Sequence, residues 1–314
     1  MDISLVLPVY NEEENIELLV RELLEVIKTN SLDAEIIFIN DGSRDNSFAL
    51  LKKIALNNTR VKVINFNRNF GQTAAMSAGI DYAQGDIIIP MDADMQNDPK
   101  DIVRLFSKIK EGFDIVSGWR KNRQDKLISR KLPSWTANYL ISIITKVYLH
   151  DYGCTIKAYR KEVLKNIKFY GEMHRLIPAY ASWYGAKISE IEVNHRPRKF
   201  GVTKYGISRT FRVVLDLLTV KFLIQYSTRP MHFFGGIGFV SLFLGLSSFC
   251  FALFLRFVHF ASLIQTPLPL LSALLIIISI QFFLMGLLAE MVMRGYYEGQ
   301  NKKIYIVKDK INID

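Results

Sequence analysis

Short apolar runs alternate with stretches of helical spacing through the first 118 residues. The runs predict strands at Ile3–Val9, Glu35–Asn40, Val61–Phe66, Asp86–Met91 and Asp114–Ser117. Between them, apolar positions recurring every three or four residues predict helices over Glu13–Thr29, Asn46–Asn57, Gly71–Gln84 and Pro99–Glu111. Continuous apolar strands separated by helices are what a mainly parallel sheet covered on both faces requires. Ligands bind such sheets outside the carboxyl ends of the strands. The polar clusters YNEEEN, NDGSRDN, NRNFG and DADMQND fall there, one after each of the first four strands, and predict a pocket on that rim.

The pattern changes after Arg229-Pro230. Phe233–Leu255 and Leu268–Ala289 carry no charge and lack the polar stripe that a helix of a globular core shows. Each is long enough to cross the ~30 Å hydrocarbon layer as a helix. Two further segments, Pro133–His150 and Ile207–Tyr226, have the mixed character of helices lying in the headgroup plane. An ordinary amphipathic core helix fits the first of them equally well. The expected division is an α/β domain over 1–206, a juxtamembrane helix within 207–230, two spans within 231–293 and a tail over 294–314.

Charge supports this division. The chain of 314 residues carries a formal +10, and half its residues are hydrophobic. Arg209, Arg212, Lys221 and Arg229 precede the first span and Arg294, Lys302 and Lys303 follow the second, with Arg256 alone between the two. The positive-inside rule then puts both termini and the α/β domain on the cytoplasmic side of the plasma membrane, with the spans as a hairpin. The start of the chain reads as a strand rather than a signal peptide. Excess positive charge suits anionic lipid, and no motif for nucleic acid accompanies it. Cys154 and Cys250 stand in different segments, so a disulfide between them is not expected.

The chemistry concentrates in IIIPMDADMQNDP. Alternation along an extended backbone sends Asp92 and Asp94 the same way. Two carboxylates so placed suit Mg²⁺ or Mn²⁺ bound through oxygen together with substrate phosphates, and Gln96 offers a further carbonyl. Capping and turn acids look the same in sequence. Asp98-Pro99 reads as a helix start. In LPVYNEEENI, Pro8 and Tyr10 end a strand where an aromatic face could border a base, Glu12 could meet a base or ribose edge, and Glu13 and Glu14 are first-turn acids. Asp41, in a tight turn with Gly42, is available to a nucleotide, while Asp45 reads as a cap. Neither G-x-G-x-x-G nor G-K-[ST] occurs, which removes dinucleotide-cofactor and P-loop readings. The five histidines form no metal pattern; His174 and Glu172 could line the pocket or simply pack.

PVYNEEENI, NDGSRDNS, NRNFGQTAAMSAGIDYAQGD and MDADMQNDP stand in the order and spacing of family-2 glycosyltransferases with the GT-A fold. More narrowly, the chain resembles polyprenyl-phosphate glycosyltransferases, both the dolichyl-phosphate mannose synthase type and the bacterial enzymes that charge undecaprenyl phosphate. The resemblance extends over the whole chain, membrane hairpin included. It implies that Pro8, Tyr10, Glu12, Asp41, Asp92 and Ala93 bind the nucleotide sugar, and that Asp92, Asp94 and Gln96 hold Mg²⁺ or Mn²⁺. VSGWRKNR supplies Arg120 and SRKLPSWTAN supplies Arg130 and Ser134 for the acceptor phosphate, with Asp94, Arg120 and Arg130 as the catalytic set. PRKFGVTKYG resembles the mobile acceptor loop, whose Arg198 and Lys204 would reach the pyrophosphate. One stretch departs from the pattern: where many relatives carry a glycine followed by Asp or Phe and then a base, DYGCTIKAYR reads Cys154-Thr155-Ile156-Lys157, the nearest acid is Asp151, and Cys154 reads as a packing residue.

The implied reaction is inverting transfer from a nucleotide sugar, UDP-linked first and GDP-mannose second, to undecaprenyl or dolichyl phosphate. A phosphate monoester with its second pKa near ~6 is largely dianionic at neutral pH and needs no general base. Alternatives are another lipid acceptor such as diacylglycerol, polymer synthesis, or a non-catalytic membrane scaffold. The implied partners are the nucleotide sugar, the polyprenyl phosphate, the bilayer, a second copy of the chain through its exposed spans, and a flippase and glycosyltransferase acting downstream.

Overall fold

The computed structural model describes residues 1–121, 138, 142, 145, 147–165, 176–197, 230–258, 266–299 and 305–313. The chain divides into two compact units, Met1–Val220 with Lys303–Asp314, and Lys221–Lys302.

The first unit is built on strands β1 (Ile3–Val9), β2 (Ala34–Asn40), β3 (Val61–Phe66), β4 (Ile87–Pro90) and β5 (Ile115–Trp119), with helices α1 (Glu13–Thr29), α2 (Ser47–Asn57), α3 (Gln72–Tyr82) and α4 (Asp101–Lys110) between them. Every strand and helix expected in this region is present, each end within two residues of its expected position. Further along come β6 (Lys157–Arg160), α5 (Lys161–Lys165), α6 (Ile177–Trp183), β7 (Ile188–Glu192) and β8 (Val307–Ile311). The eight strands form one mixed sheet in the order β7-β5-β6-β4-β1-β2-β3-β8. Strands β4, β1, β2 and β3 pair in parallel, while β6 and β8 run antiparallel to their neighbours.

Alternate side chains feed two apolar layers. Leu5, Leu7, Ile36, Phe38 and Val63 pack with Ile16, Leu19 and Leu23 of α1, Leu51 of α2 and Leu105 of α4. Val6, Ile37, Ile39, Ile64 and Ile88 point the other way, onto Ala75 and Ala78 of α3 and Ile177 of α6. Near-continuous apolar strands follow from this two-sided burial. Gly79 in α3 belongs to the same packing, since a Cβ there would lie 2.2 Å from Val6. Pro8 is tolerated in a central strand because β1 outruns β4: Val6↔Pro90 is their last pair, and that side of β1 has no ladder left to supply.

The missed strands have a common explanation. β7 (ISEIE) and β8 (VKDKI) are edge strands, and charge on an edge blocks pairing with foreign chains. Their charged residues make them read as loops. In β6 the obstacle is Lys157, 2% exposed, whose Nζ donates to the carbonyls of Tyr152 at 2.9 Å and Cys154 at 2.5 Å. Residues 294–314, expected as a tail, contain the end of a long helix and then β8.

The second unit is a pair of helices, α7 (Pro230–Val258) and α8 (Leu268–Gly299). Both are long and apolar enough to cross a membrane, over Phe233–Val258 and Leu268–Ala289, and only 22% and 17% of their most apolar stretches are buried. A core helix of a soluble protein would be mostly covered. Small residues let the two backbones approach: Ser272 Oγ donates to the carbonyl of Gly245 at 2.8 Å, and a Cβ at Gly238 would meet Phe283 at 3.3 Å. The juxtamembrane helix expected within 207–230 lies outside the described residues, save Pro230 at the start of α7. Of the residues expected as a helix at 133–150, Asn138, Ser142 and Thr145 are helical and Val147–His150 are not.

Candidate active site

The strand order reverses at β1: β2 and β3 lie to one side of it and β4 to the other. Connections leaving β1 and β4 part there, the place where sheets of this kind bind ligands beyond the carboxyl ends of their strands. Tyr10, Asn11 and Glu12 follow β1 on this rim, and Met91–Asp98 follows β4.

The loops are tied to one another by their own polar side chains. Asn11, in the left-handed region at φ 52°, accepts from the Arg44 amide through its Oδ1 at 2.8 Å, and its amide donates to Ser43 Oγ at 3.0 Å. Asp45 accepts from the amides of Ser47 at 3.0 Å and Glu13 at 3.2 Å, so it caps two helices together. Glu13 and Glu14 occupy the first turn of α1, as expected, and Glu12 Oε2 accepts from Asn15 Nδ2 at 2.8 Å.

Asp41 follows the last residue of β2 and is almost fully buried. Its carboxylate accepts from the amides of Phe70 at 2.7 Å and Gly71 at 2.9 Å, and thereby holds the NRNFG loop after β3. Burial pushes its pKa up to about 6, against the pull of those two amides. Gly42 allows the approach: its φ is +66°, and a Cβ would lie 2.4 Å from the Arg68 carbonyl carbon.

The next residue of that loop reaches the acidic motif. Gln72 Nε2 donates to Asp92 Oδ1 at 2.8 Å, while Thr155 Oγ1 donates to Asp92 Oδ2 at 2.5 Å. Asp94 is buried, and its Oδ1 accepts from the Gln96 amide at 3.2 Å across Met95, a non-glycine residue at φ 64°. The acids further along have other work. Asp98 caps the turn ahead of α4 through the Lys100 amide at 3.1 Å and pairs with Arg196 at 2.8 Å. Asp101 accepts from the Asn194 amide at 2.7 Å and from Arg104 at 2.8 Å.

Arg120 leaves β5 into a bidentate ion pair with Asp151, Nε to Oδ2 at 2.7 Å and Nη2 to Oδ1 at 3.0 Å. Burial opposes the guanidinium charge, yet Asp151 outweighs it, with a further contribution from Asp92, and holds Arg120 firmly protonated. Asp151 and Thr155 belong to one short loop, fastened beneath by the buried Lys157. Burial pushes the Cys154 thiol up to about 11, which suits a packing residue. Asp41, Gln72, Asp92, Thr155, Arg120 and Asp151 thus form a connected set across the ends of β2, β4 and β5.

Residues 4–168 match the model of glycosyl transferase family 2. A relative from Rhizobium johnstonii, dodecaprenyl-phosphate galacturonate synthase, is 44% identical over 98% of this chain and 92% of its own. The chain belongs to glycosyl transferase family 2. Another relative of this family 2 enzyme, undecaprenyl-phosphate 4-deoxy-4-formamido-L-arabinose transferase of Shewanella sediminis, is 36% identical over 98% of this chain and 92% of that one. Among solved structures, glucosyl-3-phosphoglycerate synthase of Mycobacterium tuberculosis, in complex with Mn²⁺, UDP-glucose and phosphoglyceric acid, superposes with a TM-score of 0.56 at 19% identity. That match spans 72% of this chain and 82% of the other, and shows the GT-A fold.

The glycosyltransferase carries Pro8, Tyr10, Glu12, Asp41, Asp92, Ala93, Asp94, Gln96 and Arg120 at the carboxyl rim of its sheet. Arg130, Ser134, Arg198 and Lys204 lie outside the described residues, as do His174 and Glu172. Arg120 was expected to face an acceptor phosphate; the structure shows it paired with Asp151. Lys121, read as a solvated residue, is half-exposed and pairs with Glu192 at 2.6 Å. Gln72, Thr155 and Lys157 stand in stretches that the sequence singles out, but no local pattern gives them a role. Gln72 stands inside a motif that was already in view, whereas Thr155 is brought to Asp92 only by the β4–β6 pairing.

Proposed function

We propose that this family 2 glycosyltransferase moves a sugar, with inversion, from a nucleotide sugar to polyprenyl phosphate at the cytoplasmic face of the membrane, and that UDP is the nucleotide. The observation that carries the reading is the connected set around Asp92 at the switch point, in a chain that aligns end to end with two polyprenyl-phosphate sugar transferases.

The donor side follows from the acids. Asp92, Asp94 and Gln96 offer only oxygen, which suits Mg²⁺ or Mn²⁺ over softer metals. Among the described residues no three His, Cys, Asp or Glu side chains close on one point. An ion here would complete its shell with diphosphate oxygens, as Mg²⁺ commonly does. When bound, it neutralises the donor diphosphate and favours its departure. Gln72 and Thr155 fix the Asp92 carboxylate by one hydrogen bond on each oxygen, which leaves further lone pairs on both. Asp41, Tyr10, Pro8, Glu12 and Ala93 border the nucleoside in this reading.

The acceptor side needs positive charge but no base, because the lipid phosphate arrives largely dianionic at neutral pH, its second pKa being near ~6. Asp151 cancels the Arg120 charge locally, so Arg120 acts as a rigid donor of hydrogen bonds. Arg130 supplies the net charge for the acceptor phosphate and Ser134 a hydroxyl donor, and Arg198 and Lys204 serve the pyrophosphate. In β8, residues that follow the second hydrophobic helix pair with β3 of the domain that precedes the first. An even number of crossings between them is the simplest consequence, and it supports a hairpin with both ends on the side of the catalytic domain.

Purified protein in nanodiscs, with Mn²⁺ or Mg²⁺, undecaprenyl phosphate and a panel of UDP- and GDP-sugars, tests the reading by mass spectrometry of the lipid. One nucleotide sugar is expected to add a single glycosyl residue and to release its nucleoside diphosphate. Transfer to diacylglycerol, or to no lipid with any donor, would contradict it.

A further inference from the structure

Residues 305–313 follow the second hydrophobic helix, yet they are built into the sheet that carries the acidic motif. Tyr305, 5% exposed, stacks on Phe66 at 5.3 Å between ring centroids, and Phe70 meets the same Phe66 ring edge-on at 5.6 Å. The Tyr305 hydroxyl donates to Asp81 at 2.6 Å. Phe66 is the last residue of β3 and Asp81 belongs to α3, so Tyr305 bridges the strand that enters the NRNFG loop and the helix that leaves it. The carbonyl of Ile306 accepts from the Asn67 amide at 3.4 Å, where the loop begins.

Below this contact a polar row crosses three strands in register. Asn40 Nδ2 donates to Asn65 Oδ1 at 2.8 Å, and Asn65 Nδ2 donates to Asp309 Oδ2 at 2.8 Å. Asn312 closes the far side, its Nδ2 donating to the carbonyls of Ala55 at 2.7 Å and Val61 at 2.8 Å. The loop so braced delivers the amides of Phe70 and Gly71 to Asp41 and the side chain of Gln72 to Asp92.

We infer that the strand beyond the membrane helices is a working part of the nucleotide-sugar site, with Tyr305 as a positioning residue for the loop that orients Asp41 and Asp92. The inference rests on the donor reading above. Displacement of a loop by ~1 Å is enough to cost about a hundredfold in a site that depends on placement, and loss of the Tyr305 ring removes the support at Phe66, where this loop begins.

The test measures binding of UDP and of GDP, each with Mn²⁺, to the full chain in detergent, together with separate KM values for nucleotide sugar and polyprenyl phosphate. Tyr305→Ala is expected to weaken the bound nucleotide at least tenfold and to raise the donor KM in step, with the acceptor KM unchanged. Tyr305→Phe keeps the ring on Phe66 and is expected to stay within about threefold of wild type, because the hydrogen bond it loses reaches the far end of α3 rather than the loop. Asp309→Ala, which leaves the apolar packing in place, is read beside them and is expected to weaken the nucleotide about fivefold; it decides the matter if Tyr305→Ala does not fold. Folded variants that bind nucleotide as wild type does would overturn the inference alone. Wild-type protein that binds neither nucleotide would overturn the donor reading and the inference with it.

Discussion

Thr155 gives Asp92 its shortest hydrogen bond, from a loop sixty-three residues away in the chain. Thr155→Val keeps the shape and removes the donor, and transfer is expected to fall roughly tenfold, the worth of one hydrogen bond to a charged group. Thr155→Ser should restore most of it in the same assay. Asp151→Ala leaves a buried guanidinium without its partner and is expected to cost about 3–5 kcal/mol in thermal or chemical unfolding, whereas replacing Arg120 and Asp151 together with leucine recovers much of the loss. Asp41 makes stability depend on pH. Its pKa is raised to about 6 by burial, so the folded protein holds that proton more tightly than the unfolded chain does. The stabilisation is full below the ordinary carboxylate range near 3.8 and is lost as pH rises through about 6, on the order of 3 kcal/mol in all. Unfolding of wild type and Asp41→Asn compared at pH 4.5 and 7 should show wild type losing ground to the variant at the higher pH; a constant difference would contradict the account.

At the scale of elements, the turn after β2 and the loop after β3 meet as backbone against backbone at Gly42. Gly42→Ala forces a Cβ onto Arg68 in a left-handed conformation that alone costs about 1–3 kcal/mol. Lower thermal stability and weaker nucleotide binding are expected together, because the NRNFG loop must retreat from Asp41. The same elements show what a sequence makes legible. β1 to β5 and α1 to α4 are long, periodic and buried on both faces, so their apolar pattern announces them. β7 and β8 spend charged residues on protecting the two edges of the sheet, and polarity hides them. The acids of the DADMQND loop were visible from their type and spacing. Arg120–Asp151 and Thr155–Asp92 join residues that only the β4–β6–β5 pairing brings together, and no local pattern encodes that.

For the whole molecule, the chain leaves its catalytic unit, passes through two long apolar helices and returns to close the edge of the same sheet. The composition pointed to a membrane anchor; the return of β8 did not show, because five residues of charged edge strand resemble a solvated tail. In the proposed reaction, oxygen ligands at Asp92 and Asp94 serve a nucleotide-sugar donor whose glycosyl group passes to polyprenyl phosphate. Its most direct test is the rate of glycosyl transfer to undecaprenyl phosphate by membrane-inserted wild type and Asp94→Ala, each with Mn²⁺ and after chelation. Wild type is expected to transfer the sugar, to lose transfer on chelation and regain it with Mn²⁺, and Asp94→Ala to lose at least a hundredfold despite normal insertion. Undiminished transfer by Asp94→Ala, or by chelated wild type, would contradict it.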